Sequence, residues 1–493
     1  MWAPKRASAR SASQHPRSRA PPSTHPACRA RSALKISAIA TEPASTSTPP
    51  TGRRAWGEPI LVCGAGIAGL ATALALSKLG LPVRVFESRR ELRREGAALS
   101  LWSNAWRSLE ALLGPEGAGE LRRGHQLLTR VELCASSGEL LRAFQLAECD
   151  VGPEGSETRG LMRATLLQAL YDSLPDRESI VEFGTSVREV LAPPQGASGG
   201  GGDGAPDGPV AVRLSDGRTV YGSVLVGSDG VGSEVARYLQ LPAPRYSGYC
   251  AYRGVATFPN LDPDSGAAGS GSPGFSGSGP GGLRLDTIRQ LWGAGVRAGL
   301  YPITPTTFYW FTCFNADTEA SRQPPPTPAE RQRAALESVA GWGGGGGIQQ
   351  VISATPAEEI SWSRISDRWT YGTFGRGLVT LAGDAAHPMT PNLGQGGCTA
   401  LEDAVVLARK LGKLAEGSAP PSPADVASAL RSYEYERSSR CLPLTVRANL
   451  MGAALQSSLP AVVAARDAFV RTAFSPGHFL DHTVYDCGRL DEL

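Results

Sequence analysis

The chain has 493 residues, with 49 Lys and Arg against 46 Asp and Glu and a formal net charge of +3. That length is enough for two or three domains and for a large apolar core. The first 41 residues hold eight of the basic residues and no acidic one, which leaves 41 basic against 46 acidic residues in the remainder. A mildly acidic body lacks the clustered basic face that nucleic-acid binding requires, and this excludes that class of partner.

The N-terminal segment, residues 1–54, is built mainly from Ser, Ala, Arg, Pro and Thr, and its first acidic residue is Glu42. This composition is typical of organelle transit peptides, and the segment has no apolar stretch of the kind found in secretory signals. We therefore predict that residues 1–54 are a disordered transit peptide that directs the chain to the chloroplast. A mitochondrial address and an ordinary disordered tail are the alternatives.

Cysteine spacing and hydropathy limit two further classes of site. The nine cysteines form neither Cys-x-x-Cys pairs nor His-linked spacings, so we predict reduced thiols and no metal site. No apolar run approaches the roughly 18 residues that a membrane span needs. The apolar stretch 441–473 is interrupted by arginines, which favours a helix docked on the body and leaves peripheral membrane contact as an alternative.

The order of the predicted elements indicates an α/β fold. Strand-like and helical runs alternate in the N-terminal third, whereas 246–258 and 283–314 are rich in strand signals. We predict a doubly wound nucleotide-binding domain over residues 55–436, with an inserted antiparallel sheet at about 243–370 that carries the substrate. A C-terminal helical segment is predicted over 437–493.

Two kinds of loop join the predicted strands. Low-complexity stretches at 196–208, 262–282 and 343–347 cannot bury apolar surface, so we predict flexible insertions there. Residues 295–311 instead predict a β-hairpin that turns near Thr304–Thr307, with aromatic residues along its second strand. The inserted sheet is expected to form the roof of an apolar pocket.

A glycine-rich turn follows the first buried strand. Ile60–Cys63 predicts that strand, and Gly64-Ala-Gly66-Ile-Ala-Gly69 then opens a helix that ends at Gly80. Gly64 permits the tight turn, Gly66 lets a pyrophosphate approach the backbone, and Gly69 lets the helix pack closely on the strand. The phosphates are expected at the positive end of this helix. The pattern predicts dinucleotide binding by a Rossmann-type unit.

Acidic residues end three of the predicted strands. Glu87 lies 18 residues after Gly69, where a carboxylate accepts hydrogen bonds from the adenosine ribose. Asp229 and Asp384 follow two later strands. Because ligands collect beyond the carboxyl ends of strands in open α/β sheets, we expect these acids at one edge. Either Asp alone is also suited to cap the helix behind it, but the loop after Asp384 favours a ligand role for both.

That loop places several glycines at the start of a helix predicted from about Thr399 to Leu411. Gly394 and Gly396 expose backbone N–H groups there, and the N-terminus of a helix favours negative charge. A reduced isoalloxazine carries its charge at N1 and C2=O, so the loop is a candidate stabiliser of reduced flavin. A β-branched residue at Gly396 is expected to interfere through its bulk and by disfavouring a positive φ.

Together these motifs resemble the triple signature of class A flavoprotein monooxygenases. The signature comprises the glycine turn, the Asp-Gly motif at 229–230 and the Gly-Asp motif at 383–384, continued by His-Pro-Met-Thr-Pro-Asn-Leu-Gly-Gln-Gly. Residues 100–107 and 249–254 are similar to those of the salicylate-hydroxylase-like monooxygenases of plants and algae. The likeness extends over about 59–414.

The resemblance implies FAD as the cofactor. The glycine turn and its strand-end acid would bind the ADP half, and Asp384 would bind the ribityl chain. Arg163, just before an apolar helix, would contact the flavin side, and the Asp-Gly motif would also serve a passing nicotinamide. The implied FAD-binding residues are Gly64, Gly66, Gly69, Glu87, Arg163, Asp229, Gly230, Gly383, Asp384, Pro391, Gly394, Gln395 and Gly396.

The resemblance also implies a reaction. NAD(P)H, bound transiently, would pass a hydride to FAD, and reduced flavin would react with O₂ to give a C4a-hydroperoxide. That species would hydroxylate or epoxidise a small, electron-rich, aromatic substrate. An FAD-dependent reductase or dehydrogenase of the same fold is one alternative, and a non-catalytic binding protein of this fold is another.

A few side chains outside the signature are candidates for the substrate pocket. Arg253 is suited either to an acidic group of the substrate or to a salt bridge on the sheet surface. Tyr301 and Trp310 are expected to line the pocket or to pack in the core. His387 has a reference pKa near neutrality, but its place in the Gly-Asp loop favours a structural hydrogen bond over catalysis. No catalytic residue is assigned.

Overall fold

The computed structural model describes residues 56–93, 98–149, 157–191, 209–259, 283–343, 347–417 and 419–492. The predicted transit peptide and most of the predicted low-complexity loops lie outside these ranges. Residues Gly52–Leu493 form one compact unit.

The strands are β1 (Ile60–Cys63), β2 (Val83–Glu87), β3 (Ala98–Leu101), β4 (Leu127–Leu128), β5 (Arg130–Ala135), β6 (Leu140–Gln145), β7 (Thr158–Met162), β8 (Val181–Phe183), β9 (Val187–Leu191), β10 (Val210–Leu214), β11 (Thr219–Gly222), β12 (Val224–Gly227), β13 (Arg245–Thr257), β14 (Thr287–Trp292), β15 (Val296–Thr304), β16 (Thr307–Asn315), β17 (Ser361–Asp367) and β18 (Val379–Leu381). The helices are α1 (Ile67–Lys78), α2 (Ser103–Arg123), α3 (Arg163–Asp172), α4 (Arg177–Ile180), α5 (Glu234–Tyr238), α6 (Pro328–Ser338), α7 (Ile348–Ala354), α8 (Gly396–Ala415), α9 (Pro423–Leu455), α10 (Pro460–Thr472) and α11 (Pro476–Leu480).

A five-stranded parallel sheet, in the order β18-β12-β1-β2-β8, forms the nucleotide-binding layer. β1 lies in the middle, where Ile60 is in register with Val224 on one side and Val83 on the other. All residues of β1 and β12 are buried, as expected for the apolar strands of a sheet covered on both faces. The α/β fold with a Rossmann-type layer, predicted from the sequence, is confirmed.

Close packing of α1 on the carboxyl edge of this sheet depends on Gly69. A Cβ atom at Gly69 would lie 1.9 Å from the carbonyl oxygen of Gly64 and 2.7 Å from Oγ of Ser228. Gly64 has a φ of +92°, in the left-handed region that glycine adopts without strain. Ser228 Oγ donates a hydrogen bond to the carbonyl of Cys63. The turn, the helix and β12 are therefore fixed against one another.

A second sheet has seven strands, in the order β17-β13-β16-β15-β14-β5-β6. Its central hairpin turns between Thr304 and Thr307, as predicted. The sheet nevertheless extends beyond the predicted range of 243–370, because β5 and β6 come from upstream in the chain. β14 pairs with β5 in parallel, Thr287 opposite Arg130, so the sheet is mixed rather than wholly antiparallel. Pairing with β5 satisfies backbone groups that β14 would otherwise expose at an edge.

Alternation along β16 sends its aromatic side chains to opposite faces of this sheet. Trp310 lies on the face covered by α6 and α7, and its Nε1 donates to Oγ1 of Thr355 at 2.7 Å. Tyr309 and Phe311 lie on the other face, where Tyr301 of β15 is directly opposite Tyr309. Trp310 is therefore a core residue, which is one of the two positions that the sequence analysis left open for it.

The C-terminal helices begin with α9, a continuous helix of 33 residues. The boundary predicted between residues 436 and 437 falls inside it, so the flavin-binding part and the C-terminal part share this helix. α10 then packs against α9 and β6. In the part of the chain that the structure describes, no single helix has the length and hydropathy of a membrane span, whereas α9 and α10, bent by 116°, meet that criterion as a pair.

The contact at Gly69 gives the first prediction. In Gly69→Ala the added methyl overlaps a backbone oxygen that cannot move without opening the turn, so we expect a loss of about 1–3 kcal/mol or more in the free energy of unfolding. Denaturant unfolding followed by circular dichroism measures this. Gly57→Ala is the control, because a Cβ at Gly57 meets no heavy atom within 4 Å; it should change stability by less than about 0.5 kcal/mol. Equal midpoints for the two variants would contradict the prediction.

Candidate active site

A cavity of about 510 Å³ lies between the carboxyl edge of the parallel sheet and the inner face of the seven-stranded sheet. Of the site residues predicted from the sequence, those on its wall are Gly66, Arg163, Gly230, Arg253, Tyr301, Asp384, Pro391, Gly394 and Gly396. Those behind the wall are Gly64, Gly69, Glu87, Asp229, Gly383 and Gln395. The fold thus brings all three motifs to one cavity, but only some of their residues face it.

The end of the cavity at the glycine turn is suited to an anion. The first turn of α1 contains no acidic residue, and no side chain caps its free N–H groups. A Cβ atom at Gly66 would meet only Nη2 of Arg163, at 3.9 Å, so the backbone there is open to the cavity. The positive end of a helix beside a guanidinium provides the charge and the donors that a pyrophosphate requires.

Glu87 supports the glycine turn from behind. Its Oε2 accepts a hydrogen bond from the backbone N–H of Ala65 at 2.8 Å, and its Oε1 accepts one from the N–H of Arg89 at 2.8 Å. The carboxylate thus joins the end of β2 to the turn. Its contact with the ribose, predicted from the sequence, stays a prediction.

Asp229 caps a helix, the role that the sequence analysis had ranked second. Its Oδ2 accepts a hydrogen bond from the N–H of Glu234, at the start of α5, at 2.8 Å. Its Oδ1 is buried and without a partner among the described residues, and burial raises the pKa of this carboxyl. The neighbouring Gly230, with a φ of +79°, is the residue of this motif that reaches the cavity wall.

Asp384 faces the cavity. Its side chain is exposed to that internal space and is otherwise enclosed by protein. Burial raises the pKa of Asp384, and the nearby positive charges of His387 and Arg163 oppose that rise. Among the described residues that line the cavity, Asp384 is the only acidic one, so its carboxylate is suited to accept hydrogen bonds from ligand hydroxyl groups.

The loop after Asp384 leads into α8, which begins at Gly396, three residues before the predicted start. Gly396 does not have a positive φ, and a Cβ there would lie 3.8 Å from Oδ1 of Asp384, an ordinary contact. Gly394 instead has a φ of +64°, and a Cβ there would lie 3.2 Å from Nε1 of Trp102. The positive φ that the sequence analysis expected at Gly396 is therefore found at Gly394 instead.

Gln395, between these two glycines, is fully buried, and its Oε1 accepts a hydrogen bond from Asn104 of α2.

A buried carboxylate fixes this loop. Asp403, on α8, accepts hydrogen bonds from the backbone N–H of Gly383 at 2.7 Å, from Nε2 of His387 at 2.8 Å and from Nε of Arg437 at 2.7 Å. Arg437 also donates to Glu402 at 2.6 Å. The sequence analysis predicted that His387 makes a structural hydrogen bond. It did not identify Asp403 or Arg437, because these residues belong to no recognisable motif and come together only through the packing of α8 on α9.

The charges of this cluster stabilise one another. Burial by itself would raise the pKa of Asp403, but the positive charges of His387 and Arg437 outweigh it and lower the pKa to about 2. Burial likewise opposes the charging of His387, but the adjacent Asp403 raises the pKa of its imidazole well above the usual value. Cys441 also lies within 4.8 Å of both ligand-type atoms. Because Arg437 and the backbone already occupy the carboxylate, we interpret the cluster as a charge network rather than a metal site.

The opposite side of the cavity is formed by the inner face of the seven-stranded sheet. Tyr301 lies on this face, and Arg253 donates from Nη1 to Oγ of Ser363 at 2.5 Å rather than forming a salt bridge with a described acid. Arg297 and Tyr309 also line this face, although the sequence analysis did not select them. The alternation of side chains along the predicted hairpin could have identified them. Arg297 lies four residues before Tyr301 on the same strand, and Tyr309 lies opposite Tyr301, so all three share a face.

The residues present fit FAD. The open backbone at Gly66 and the guanidinium of Arg163 suit the pyrophosphate, and Asp384 suits the ribityl hydroxyls. Two buried donors in this part of the described chain, Nε of Arg163 and Nε1 of Trp102, have no hydrogen-bond partner. Buried polar atoms are normally paired, so such atoms beside a cavity indicate a ligand that satisfies them.

Comparison with known proteins decides the family. The chain is 33% identical to the aurachin C monooxygenase/isomerase of Stigmatella aurantiaca over 364 residues, which cover 73% of this chain and 82% of that protein. It is 31% identical to monooxygenase 2 of Arabidopsis thaliana, covering 87% of this chain and 98% of that one. A family model for an FAD binding domain matches residues 58–441. This chain belongs to the class A FAD-dependent monooxygenases.

A solved structure of the family supports the same assignment. HpxO of Klebsiella pneumoniae, in complex with FAD and uric acid, superposes with a TM-score of 0.68 and 26% identity, covering 87% of this chain and 96% of that one. FAD is therefore the cofactor of this monooxygenase, as the signature implied, and the protein is an oxidoreductase rather than a non-catalytic member of the fold.

The Asp403 cluster generates the second prediction. Asp403→Asn keeps the shape of the side chain but removes the charge that neutralises His387 and Arg437, and breaking a buried ion pair costs about 3–5 kcal/mol. We expect that loss in the free energy of unfolding, together with lower FAD occupancy because the Gly383–Asp384 turn loses its anchor. Unfolding by denaturant and the ratio of flavin to protein absorbance measure the two effects.

Glu436→Gln is the control, because Glu436 forms a partly exposed pair with Lys410 at 2.9 Å. Surface pairs contribute about 0–1 kcal/mol, so this variant should retain FAD and nearly all of its stability. If Asp403→Asn behaved like the control, the carboxylate would not be the anchor of the loop.

Proposed function

We propose that this monooxygenase uses NAD(P)H and O₂ to hydroxylate or epoxidise a small aromatic substrate that carries an acidic group. The observation that carries the proposal is the guanidinium of Arg297, which is 1% exposed and faces the flavin cavity from the inner face of the seven-stranded sheet. The relatives include an FAD-dependent urate hydroxylase and a zeaxanthin epoxidase, which supports either form of oxygenation.

Two arginines of the cavity wall, Arg289 and Arg297, differ in whether an acidic side chain of the protein neutralises them. Arg289 forms a salt bridge with Glu132 at 2.8 Å. Arg297 has no acidic partner among the described residues, its Nε has no hydrogen-bond partner, and its guanidinium lies over the ring of Phe311 at 5.1 Å. A buried charge is costly unless it is paired. A carboxylate or another anionic acceptor on the substrate would provide the missing partner through a charge-assisted hydrogen bond.

Aromatic side chains next to Arg297 suit a ring. Tyr301 and Tyr309 have ring centroids 5.0 Å apart, and Phe311 follows on the same face. Burial raises the pKa of Tyr309 to about 12, although the nearby Arg253 opposes that rise. The phenol of Tyr309 therefore keeps its proton and is able to donate a hydrogen bond to a substrate oxygen.

When bound, FAD supplies the redox chemistry with the nicotinamide and O₂. In this proposal the chain provides the rest: Arg297 orients the acidic group, Tyr309 donates to a ring oxygen, and the apolar wall keeps water from the reacting centre. The uric acid in the HpxO complex supports a substrate of similar small size.

The proposal predicts that 4-hydroxybenzoate stimulates NADPH oxidation by the holoprotein and gains one oxygen atom. Arg297→Met should weaken binding of 4-hydroxybenzoate about ten- to a hundredfold, since a hydrogen bond to a charged group contributes about 1.5–3 kcal/mol. Binding of phenol, which has no carboxylate, should change less than about threefold by the same reasoning. Perturbation of the flavin absorbance measures both dissociation constants.

Arg213→Met is the matched control, because Arg213 is half-exposed, pairs with Glu189 on the neighbouring strand and does not line the cavity. It should leave both dissociation constants unchanged. NADPH oxidation without incorporation of oxygen into any of a panel of phenolic acids would favour the reductase, and equal weakening of both ligands by Arg297→Met would refute the role of Arg297.

For the N-terminal segment we propose import into the chloroplast. The composition of residues 1–54 supports this, and so does the likeness to a zeaxanthin epoxidase of Spinacia oleracea that is described as chloroplastic and of which this chain covers 51%.

Residues 1–54 fused to a fluorescent protein should therefore colocalise with chlorophyll in plant or algal cells. Changing the ten Lys and Arg of this segment to Gln should abolish import, because transit peptides depend on their positive charge. Mitochondrial fluorescence would show that the segment directs import into mitochondria instead. Cytosolic fluorescence of the unchanged fusion would show that the segment does not direct import.

A further inference from the structure

Beyond the ring-binding face, the cavity continues into a region that we call the apolar arm. One wall of the arm is formed by Ile288 and Trp292 of β14, and the other by Leu455, Val470, Phe474 and Leu480 from the C-terminal helices and their connections. These side chains belong to one hydrophobic cluster, in which Phe474 is partly buried. Arg466 and His482 also line the cavity here. The arm is therefore an internal space with mainly apolar walls, continuous with the flavin site.

The arm meets a groove on the outer surface between α9 and α10. Met451, Phe469 and Phe474 line both the cavity and this groove. Phe469 is 55% exposed and Leu450, also in the groove, is 62% exposed. Large exposed apolar side chains that cluster in this way usually mark a binding surface. The same three residues thus connect the interior of the enzyme with an apolar part of its surface.

The described residues that line the groove include no free ionic group. Arg447 is its charged residue, and Nη1 of Arg447 is 2.6 Å from Oδ1 of Asp481. Nη2 donates to the backbone carbonyl of Phe479 at 3.0 Å. With the guanidinium held by these partners, the residue contributes its methylene groups to the groove. In the arm, the buried guanidinium of Arg466 is paired with Asp467 at 2.8 Å, and burial lowers the pKa of His482 to about 4, which keeps its ring neutral. An apolar ligand therefore meets no unpaired charge among the described residues of the arm and the groove.

We propose that the apolar arm and the groove bind an alkyl or isoprenoid chain that the aromatic substrate carries. This inference rests on the proposed function, because the ring that bears the chain is the one placed at Arg297 and Tyr309. A membrane or a second copy of the protein would cover the groove but leave the arm inside the molecule unfilled. A flexible chain attached to the ring fills both, and each buried methylene strengthens binding.

The test uses the full-length oxidised holoprotein and a series of ligands from benzoate to 4-butyl-, 4-hexyl- and 4-octylbenzoate. Dissociation constants from the flavin absorbance should fall by up to about fourfold per methylene group, without any turnover. Because no reductant is present, this result does not depend on the reaction. Failure of oxygenation with NADPH and O₂ would count against the proposed function, whereas a missing chain-length dependence would count against the arm.

Ala454→Phe blocks the arm. Ala454 is exposed and lines the cavity, so we expect the added ring to occupy part of the arm. In this variant the ratio of the dissociation constants of benzoate and 4-octylbenzoate should fall at least tenfold. Ala453→Phe is the matched control, since Ala453 is exposed but does not line the cavity; its ratio should equal that of the unchanged protein. FAD occupancy and melting temperature confirm that both variants fold.

Three results would overturn the proposal. The first is a dissociation constant for 4-octylbenzoate no lower than that for benzoate, and the second is an equal ratio in the two alanine variants. The third is binding of octanoate as tight as that of 4-octylbenzoate, since the arm would then hold a free fatty acid. Co-sedimentation with phosphatidylcholine–phosphatidylglycerol vesicles, lost in Leu450→Asp and without chain-length dependence in solution, would identify the groove as a membrane contact.

Discussion

The carboxylate of Asp403 accepts hydrogen bonds from three separate places in the chain. Through Gly383 and His387 it holds both ends of the turn that carries Asp384, and through Arg437 it fixes that turn to α9. All of these groups are buried, where a charge is tolerated only if it is paired. The position of Asp384 at the cavity, and of the N-terminus of α8 beside it, therefore depends on the charge balance of a cluster that does not itself face the cavity.

A second constraint is the register of the seven-stranded sheet. Since side chains alternate between the two faces of a sheet, Tyr301, Tyr309 and Arg297 all face the cavity, while Trp310 packs against α7. A shift of the hairpin by one residue would exchange these sets. The proposed ring-binding surface and the guanidinium of Arg297, which has no acidic partner among the described residues, thus depend on the same strand pairing, and the C-terminal helices extend that surface into the apolar arm.

The fold could be predicted because its signals are local. The apolar strand of Ile60–Cys63 followed by glycines, and the hairpin turning near Thr304, are patterns within short windows of sequence. The pairing of β5 with β14 could not be predicted, because the two strands lie about 150 residues apart and neither contains a sequence feature that identifies the other as its partner. The continuity of α9 past residue 436 was also missed, since its apolar face is set by neighbours distant in the sequence.

The sequence by itself determined the Rossmann-type layer, because glycines and strand-end acids must stand at fixed spacings to form a dinucleotide site. It also contained the family signature, and the resemblance to that family implied FAD as the cofactor. The tertiary structure alone decided how each motif residue is used. Asp229 caps α5 and Glu87 supports the turn, whereas Asp384 faces the cavity. Hydrogen-bonding capacity is a property of the residue, but the partner that satisfies it is whichever group the packing of distant elements brings within about 3 Å.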